Sequence, residues 1–575
     1  MKELRSHRWL YGANETGLLH QGALRAVGID MDRYEGQPVI GIANTWSEFN
    51  NCNMSLRAIA EKVKCGVREA GGIPLEFPVI SLGEELMKPT AMLYRNLLSL
   101  EVEENIRSYP MDGVVLLGNC DKTVPGLLMG ACSANIPTIQ LNAGPKRVGV
   151  FKGQRLGSGT DLWKYWDELR TGKISEEDWN EIGKALSCGF GACNTMGTAS
   201  TMNGLMEALG IMPLGLSTLP VDDERRYAMS RDAGRRIVQM VFEDLKPSDI
   251  MTLDAFRNAT RVCMALGGST NAILHLTAIA GRLGIDLYPD EFDNIGRVIP
   301  CLADVQPTGS RLIDEFDRDG GVPALMKAMQ NVLDLSVRNY AGKSLGELLD
   351  GYESPKGEVI RTFDSPVTPA PTLAILKGNL TPRGAVVKVS AADPRLMIHK
   401  GRAVVFESYA DMLARIDDPN LDVDPDSVLV LKYAGPRGVP GMPEWGMIPI
   451  PKKLKEAGVT DMVRISDGRM SGTSFGTVVL HVAPEAAMGG TFAVIRSGDV
   501  IHLNIPERTI NVELSEAEIA DRLAQWKAPE SAHLRGYPLL YQREVCQADE
   551  GCDFAFLRQS RKIKPGLVEP IVGRS

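Results

Sequence analysis

The stretch LLGNCDKTVPG, residues 116–126, decides the fold class and shows where the chemistry lies. It continues an apolar run that starts at Val114, stops at Gly118 and then places Asn, Cys, Asp and Lys at positions 119–122. A short β-branched run that ends in Gly is typical of a buried strand. Loops that leave the carboxyl ends of strands build the active sites of α/β proteins. The stretch therefore predicts a strand that delivers a thiol, a carboxylate and an amine to one point; a buried free Cys followed by a surface Asp-Lys pair is the alternative.

Strand-like and helix-like segments alternate along the first two thirds of the chain. GQPVIGIANT (36–45) and MDGVVLLGNC (111–120) are short, β-branched and end in turn-forming or polar residues. TAMLYRNLLSLEVEENIRS (90–108) and STNAILHLTAIAGRL (269–283) carry apolar residues at the i, i+3, i+4 spacing of helices. This order predicts an α/β domain.

A Pro- and Ser-rich segment, residues 351–372, predicts a linker without regular structure. We therefore expect an N-terminal α/β domain over residues 1–366 and a C-terminal β-rich domain over residues 373–575. Beyond the linker, short β-rich segments separated by Gly, Pro and Asp turns predict a β-barrel or a sandwich with a few helices. These segments include GRAVVFES (401–408), SVLVLKYAG (427–435), FAVIRSGDVIHLNI (492–505) and RTINVELS (508–515).

Composition excludes several classes of function. The 575-residue chain has a formal charge of -9 and no concentrated Lys/Arg run, so nucleic acid is not an expected partner. The chain has no apolar stretch of about 18 residues and its start has no apolar signal region, so we expect a cytoplasmic protein without a membrane span. Its ten cysteines include no CxxC pair and are expected to be reduced thiols, some of them metal-bound.

Three cysteines share a similar setting. Cys52 follows a strand-like run, Cys120 follows the strand of the opening stretch, and Cys193 lies in the Gly-rich loop GFGACNTMGTASTM. The closely spaced ligand pairs of structural zinc are missing, whereas thiolates suit iron–sulfur clusters. A cluster with three protein thiolates would leave one iron open as a Lewis acid. Spacing alone leaves this interpretation open beside three unrelated buried thiols.

The sequence resembles the family of dihydroxy-acid and sugar-acid dehydratases over essentially the whole chain. Ordered blocks carry the resemblance, among them VIGIANTWSEFNNCN (39–53), GNCDKTVPG (118–126), CNTMGTASTM (193–202), ALGGSTNAILHL (265–276) and ISDGRMSGTSFGTVVLHVAPEA (465–486). The resemblance implies an N-terminal α/β domain, a C-terminal β-rich domain and a site shared by an iron–sulfur cluster and Mg²⁺. It assigns the cluster to Cys52, Cys120 and Cys193, the Mg²⁺ to Glu84, Asp121, Glu444 and Lys122 as its carbamate, the catalytic base to Ser471, and a substrate contact to Thr473.

A carbamate at Lys122 agrees with the chemistry of Mg²⁺, which takes oxygen ligands, so that a bare ammonium would be no ligand. Carbamylation needs the neutral amine, and we expect burial to favour it by lowering the pKa of Lys122. The opening loop would then serve two metals, with Cys120 on the cluster and Asp121 and Lys122 on Mg²⁺.

The resemblance implies a hydro-lyase that removes water from a 2,3-dihydroxy carboxylate and yields a 2-keto-3-deoxy acid. CNTMGTASTM and YQREVCQADEGCDFAFL (541–557) resemble the sugar-acid branch, so a pentonate or hexonate is the expected small-molecule substrate. The alternatives are a branched-chain dihydroxy-acid dehydratase, a 6-phosphogluconate dehydratase and, in a different class, a non-catalytic iron–sulfur sensor. The same branch implies a 2Fe-2S cluster, with 4Fe-4S also compatible with three thiolates, and a homodimer or homotetramer. Some members place a histidine near the C-terminus in the site, whereas the last histidine here is His533.

Overall fold

The computed structural model describes residues 3–12, 14–558 and 565–573, and two sheets organise this part of the chain. The first sheet consists of β1 Val39–Asn44, β2 Ile73–Pro78, β3 Gly113–Leu117 and β4 Thr138–Leu141. Its four strands are parallel and lie in the order β2-β1-β3-β4. Three of them are buried along their whole length, as a parallel sheet covered by helices requires. The strands predicted from 36–45 and 111–120 are confirmed as β1 and β3.

Helices surround this first sheet and fill most of the chain before residue 350. The helices are α1 Arg5–Leu10, α2 Glu15–Ala26, α3 Leu56–Glu69, α4 Arg95–Ser108, α5 Thr123–Ala134, α6 Thr160–Arg170, α7 Glu176–Leu186, α8 Thr198–Ala208, α9 Glu224–Glu243, α10 Pro247–Ile250, α11 Leu253–Ala265, α12 Asn271–Arg282, α13 Pro289–Gly296, α14 Ile313–Arg318, α15 Gly321–Ala328 and α16 Leu345–Leu349. The two predicted from periodicity are confirmed as α4, preceded by one turn of 3₁₀ helix, and α12. Two short strand pairs accompany the helices: β5 Gly149–Phe151 with β6 Gln154–Leu156, and β7 Pro300–Cys301 with β8 Thr368–Pro371.

Helix α5 follows the opening stretch directly and is buried at every position. It packs against α4 and α12. A Cβ at Gly130 would lie 2.5 Å from the carbonyl oxygen of Ser99 on α4, so glycine permits the close contact of the two helices. This packing holds the loop before α5 in the interior of the molecule.

The second sheet has eight strands and lies in the second half of the chain. The strands are β9 Leu373–Leu376, β10 Gly384–Lys388, β11 Ile398–Phe406, β12 Val428–Leu431, β13 Arg464–Ser466, β14 Val478–Ala483, β15 Val500–Asn504 and β16 Thr509–Val512; the helices here are α17 Tyr409–Arg415, α18 Lys452–Glu456, α19 Thr491–Val494, α20 Glu516–Gln525 and α21 Gly536–Glu544.

The strand order of this second sheet is β16-β15-β11-β12-β13-β14-β10-β9. The neighbours from β11 to β14 are parallel and the outer pairs are antiparallel. Lys377, directly after β9, accepts the N–H of Ile510 over 3.0 Å and donates its own N–H to the carbonyl oxygen of Arg508 over 2.9 Å, which nearly closes the sheet. The predicted barrel-like region is thereby confirmed, and the sandwich alternative is wrong.

Two local expectations differ from the structure. The first part of FAVIRSGDVIHLNI is the helical turn α19 rather than a strand, because a short apolar run without alternation fits either structure. The segment 351–372, expected to lack regular structure, contains β8 and is tied to the first half of the chain, where Arg361 donates its N–H to the carbonyl oxygen of Leu302 over 2.7 Å.

The two sheets direct their polar loops toward the same place. The loops after β1, β2 and β3 carry Cys52, Glu84 and the residues 119–122, and the loops after β12 and β13 carry Glu444 and Ser471. Carboxyl ends of parallel strands are where α/β proteins place their ligands. No helix among the described residues is both long and apolar enough to cross a membrane.

Candidate active site

A cavity of about 650 Å³ lies where these loops meet. Helix α6 and the loop before α8 contribute further parts of its wall. The cavity is thus lined by side chains from the loops of both sheets. The residues singled out from the sequence that line it are Cys52, Glu84, Cys120, Asp121, Cys193, Glu444, Ser471 and Thr473.

Three carboxylates form the centre of one wall. Glu84, Asp121 and Glu444 each offer an oxygen, and these oxygens lie within 4.8 Å of one another. Lys122 lies behind them with no exposed surface; its Nζ is 2.9 Å from Glu84 Oε2 and 3.0 Å from Glu444 Oε1, and it also donates a hydrogen bond to Asp121. The sequence is right about which residues meet here.

The expected direction of the lysine pKa is wrong. Burial alone disfavours the ammonium, but the carboxylates of Asp121, Glu444 and Glu84 outweigh it and raise the pKa of Lys122. The surroundings of Lys122, as the chain itself provides them, therefore favour its ammonium form. Desolvation alone predicts a lowered pKa for Lys122, because it leaves out the three carboxylates that contact the ammonium.

The three acids are not equivalent. Burial raises the pKa of Asp121 to about 6, with Glu84 and Glu444 adding to the effect and Lys122 opposing it. Burial also acts on Glu444, but Lys122 and Arg469 together lower the pKa of that carboxyl below its usual value. Glu444 is thus held as a carboxylate more firmly than Asp121.

Arg469 is a functional residue that the sequence analysis missed. Its guanidinium is fully buried and donates to Glu444 Oε1 over 2.9 Å and to Thr90 Oγ1 over 3.0 Å. Thr90 in turn donates to Glu84 Oε1 over 2.7 Å. One arginine therefore connects a carboxylate from each half of the chain. A charged residue inside GRMSGTS, where glycines and serines indicate a turn, gave no signal of burial.

Asn271 is a second missed residue. Its amide donates to Glu444 Oε1 over 3.2 Å, to Thr198 Oγ1 over 3.1 Å and to the carbonyl oxygen of Met470 over 3.1 Å. It is the first residue of α12 and is fully buried. The signal in the sequence is a polar side chain at the start of an otherwise apolar helix.

The cysteine loops are joined by Asn119. Its amide donates to the carbonyl oxygens of Cys52 and Gly144, each over 2.9 Å, and its side-chain oxygen accepts the N–H of Gly144 over 3.0 Å. The third loop is attached to the first, since Gly191 donates its N–H to the carbonyl oxygen of Asn51 over 3.1 Å.

The thiols themselves are in contact or close to it. A hydrogen bond with Cys52, followed by burial, raises the pKa of the Cys120 thiol, and burial raises the pKa of Cys193 to about 12. Cys193 also lies near enough to Cys52 to interact with it electrostatically. Burial and the contact with Cys52 thus favour the neutral form of these thiols, whereas a thiol binds a metal after losing its proton.

Ser471 and Thr473 stand opposite these groups. Their hydroxyl oxygens are 2.9 Å apart, and the N–H of Thr473 lies 3.4 Å from Ser471 Oγ. Gly472 between them allows the loop to approach α8, because a Cβ there would lie 2.5 Å from the N atom of Thr198. The loop after β13 is thereby pressed against the first half of the chain.

The donor sets fit the two groups expected here. Three carboxylate oxygens at mutual contact distance suit a hard divalent cation such as Mg²⁺. Three thiols on the wall of the same cavity suit iron and sulfide. The two sets meet in one loop, where the Cys120 thiol lies 3.5 Å from Asp121 Oδ1.

Comparison with known proteins gives the family. The chain matches the model of the dihydroxy-acid/6-phosphogluconate dehydratase N-terminal region over residues 37–348 and that of the corresponding C-terminal region over residues 358–552. The two matches together cover both sheets and the cavity between them.

Individual relatives align over nearly their full length. An L-arabinonate dehydratase of Rhizobium leguminosarum bv. trifolii is 47% identical over 97% of each chain, and a 6-deoxy-6-sulfo-D-gluconate dehydratase of Pseudomonas putida is 46% identical over 98% of each. A dihydroxy-acid dehydratase of Caldanaerobacter subterraneus subsp. tengcongensis is 38% identical over 93% of this chain and 97% of its own. With its cavity of thiols, carboxylates and hydroxyls, the chain belongs to the dihydroxy-acid/6-phosphogluconate dehydratase family.

Proposed function

We propose that this protein is a hydro-lyase that converts a sugar acid with hydroxyls at C2 and C3 into a 2-keto-3-deoxy acid. The observation that carries the proposal is the convergence of three thiols, three carboxylates and the pair Ser471 and Thr473 on one cavity. A non-catalytic iron–sulfur sensor would need the thiols alone. The carboxylates and hydroxyls beside them favour catalysis.

The residues that would hold the cofactors follow from their donor chemistry. Cys52, Cys120 and Cys193 would hold an iron–sulfur cluster, which we expect to be 2Fe-2S, and Glu84, Asp121 and Glu444 would hold Mg²⁺. Lys122 would join the latter as its carbamate, which requires that its ammonium first lose a proton. When bound, the two groups would supply Lewis-acid chemistry that favours loss of the C3 hydroxyl and stabilises negative charge on the oxygens at C1 and C2.

The chain's own groups would handle the proton. Ser471 Oγ, as an alkoxide, would remove the proton from C2, the electron pair of that C–H bond would form the C2–C3 double bond, and hydroxide would leave C3. The resulting enol becomes the 2-keto acid when C3 takes up a proton and the C2 hydroxyl releases one. The Thr473 hydroxyl, which contacts Ser471 Oγ, would hold that oxygen in the position where it accepts the C2 proton.

A sugar acid is supported over a branched-chain acid by two observations. The two sugar-acid dehydratases are 47% and 46% identical to this chain, against 38% for the dihydroxy-acid dehydratase. The cavity wall also includes Lys88, Lys146 and Ser187, which offer hydrogen bonds to hydroxyls beyond C3. We expect a pentonate or hexonate.

The deciding experiment replaces Ser471 by Ala and measures exchange of the substrate C2 hydrogen with deuterated solvent. Loss of the general base should lower kcat by roughly 10²- to 10⁴-fold with KM little changed, and exchange should stop. Ser474→Ala is the matched control, because Ser474 lies in the same loop, has a buried hydroxyl without a hydrogen-bond partner among the described residues and lines a neighbouring cavity. Exchange at the normal rate in Ser471→Ala would assign the base to another residue.

We further propose a cytoplasmic location and a homodimer or homotetramer. All ten cysteines are free, which agrees with a reducing compartment. Helix α2 leaves Leu18 and Leu19 exposed at 70% and 65%, an apolar surface that association would cover. Light scattering of the purified protein measures the assembly directly.

A further inference from the structure

Helix α6 touches the proposed base through a single intermediate residue, Thr473. The indole Nε1 of Trp163 on α6 lies 3.4 Å from Thr473 Oγ1, and Thr473 Oγ1 lies 2.9 Å from Ser471 Oγ. The three groups form a chain that ends on the oxygen expected to take the C2 proton.

The chemistry of the donors sets the direction of this chain. An indole N–H can only donate, so Thr473 Oγ1 accepts from Trp163. The hydrogen of the Thr473 hydroxyl then needs an acceptor, and Ser471 Oγ is the one that the described residues offer to it. Ser471 Oγ also faces the N–H of Thr473 at 3.4 Å, so a Thr473 hydroxyl that donates to Ser471 Oγ would bring both donors of Thr473 to one oxygen.

We propose that Trp163 is a positioning residue that fixes the Thr473 hydroxyl as a donor to Ser471 Oγ and so stabilises that oxygen as the acceptor of the substrate proton. The inference rests on the proposed function of Ser471. It adds a residue that acts on the base from outside the loop after β13.

The packing around Thr473 supports a fixed geometry. Thr160, the first residue of α6, donates its hydroxyl to the carbonyl oxygen of Thr473 over 3.2 Å. Gly159 has φ +87°, and a Cβ there would lie 2.5 Å from Thr473 Oγ1. Gly197 approaches from the other side, where a Cβ would lie 2.8 Å from Thr473 Cγ2. The side chain of Thr473 is therefore enclosed and only 4% of the residue is exposed.

The proposal is tested by a double-mutant cycle on the holoenzyme, measuring kcat, KM and the pH dependence of kcat. Trp163→Phe keeps the aromatic ring and removes the N–H, so kcat near neutral pH should fall roughly 3- to 10-fold with KM within about twofold. The rising acidic limb of the profile should move to higher pH, because a less stabilised alkoxide binds its proton more tightly.

Thr473 variants show whether Trp163 acts through the hydroxyl. Thr473→Val, which removes the hydroxyl at similar volume, should lower kcat roughly 10- to 100-fold, and Trp163→Phe should add nothing in that background. Thr473→Ser restores a donor and should return most of the activity. Additive losses in the double variant would overturn the proposal.

The matched control is Trp166→Phe, one turn along the same helix. Trp166 is 44% exposed, packs against Trp179 with the two rings tilted and lines the neighbouring cavity, and among the described residues no hydrogen bond joins its N–H to Thr473. It should leave kcat and the pH profile unchanged. An equal effect of the two tryptophan variants, or a change confined to KM in Trp163→Phe, would contradict the proposal and make Trp163 a simple wall of the cavity.

The charged groups around the base are unchanged in all these variants, so a shifted pH profile reports the hydrogen-bond chain. Iron content and circular dichroism of each variant exclude loss of cluster or fold. If Ser471→Ala still exchanges the C2 hydrogen, the proposed function of Ser471 fails first; if it does not, and Trp163→Phe leaves the profile in place, only the role of Trp163 fails. The charged groups that line the cavity or lie directly behind it are Glu84, Glu85, Lys88, Asp121, Lys122, Lys146, Glu444 and Arg469.

Discussion

Asn119 shows how one side chain can determine the positions of several ligands. It holds the carbonyl oxygen of Cys52 and both backbone groups of Gly144, and it immediately precedes Cys120. A buried amide with all these bonds made gives a rigid connection between loops. The Asn119 side chain thus fixes the backbone at Cys52 relative to the loop that carries Cys120.

Replacing Cys120 by Ser should remove the cluster and leave the loop in place. Ser is nearly isosteric, but its hydroxyl is a poor ligand for iron, so visible absorption and iron content should fall together and turnover should be lost. Absorption spectra and iron and sulfide analysis of protein purified without air are the measurements.

Cys546→Ser is the control for this prediction. Cys546 lies outside the cavity and is only partly buried, so the variant should keep its iron and its colour. A Cys120→Ser protein with normal iron content would remove Cys120 from the ligand set.

The sequence predicts single site residues well where a motif carries them, and poorly where the fold changes their surroundings. Cys52, Asp121 and Glu444 were placed by motif, and the structure brings them to one cavity. Asp121, Glu444 and Glu84 together raise the pKa of Lys122, and Glu444 and Glu84 are distant from it in sequence, so burial alone indicates the wrong direction for this pKa. Pairwise contacts between loops are the information that local patterns lack.

At the scale of single elements, α6 is held at both ends against the second half of the chain. Thr160 binds Thr473 at its start, and Arg170 at its end donates to Asp417 over 3.1 Å and to the carbonyl oxygen of Ile450 over 3.1 Å. Sequence periodicity identifies α4 and α12, which have long apolar faces, but it does not show where a polar helix such as α6 docks.

Gly159→Ala should disturb the docking of α6. The new Cβ would lie 2.5–2.8 Å from atoms of the Thr473 side chain, and the alanine would have to adopt a φ of +87°. Either α6 or the loop after β13 must therefore move. Measured by steady-state kinetics, kcat should fall by roughly 10-fold or more, because a small displacement of the catalytic group is costly.

Gly172→Ala is the control for the steric contact between residue 159 and Thr473. Gly172 follows the other end of α6 and has φ +70°, and no atom lies within 4 Å of the point that its Cβ would occupy. The variant places an alanine at a positive φ without the contact and should keep nearly full kcat. Equal losses in the two variants would show that strain, and not the contact with Thr473, matters.

At the scale of the whole molecule, the segment after α21 closes the structure over the first half of the chain. Arg282 on α12 donates to both oxygens of Asp553, over 2.6 Å and 3.0 Å, and both side chains are fully buried. Arg95 on α4 donates to the carbonyl oxygens of Gly551 and Cys552 over 2.8 Å and 2.9 Å. The chain therefore depends on contacts between residues several hundred positions apart, which no local pattern of the sequence reveals.

Asp553→Asn should destabilise the protein strongly. It leaves the buried Arg282 guanidinium with only the longer contact to Glu103, at 3.5 Å, as its counter-charge, and breaking a buried ion pair from one side costs about 3–5 kcal/mol. Denaturant unfolding followed by circular dichroism measures the loss.

Asp422→Asn is the control on the surface. Its pair with Arg402 spans 3.1 Å, but the Asp422 and Arg402 side chains are 86% and 47% exposed, so the change should leave the unfolding midpoint nearly unchanged. Similar midpoints for the two variants would show that the closing segment contributes little to the fold.

The close fit of Thr473 among Gly159, Gly197 and the helix behind it also matters to anyone who wants the enzyme to accept a different acid. Libraries that randomise Gly159 and Gly197 would consist mostly of inactive variants, since almost any side chain added at these positions collides with Thr473 in the catalytic loop. Diversity is better placed at Leu186 and Ser187, at the end of α7, which line the cavity on a different helix from the one that contacts Thr473. Directed evolution can therefore change the residues at the end of α7, and the two glycines should be kept.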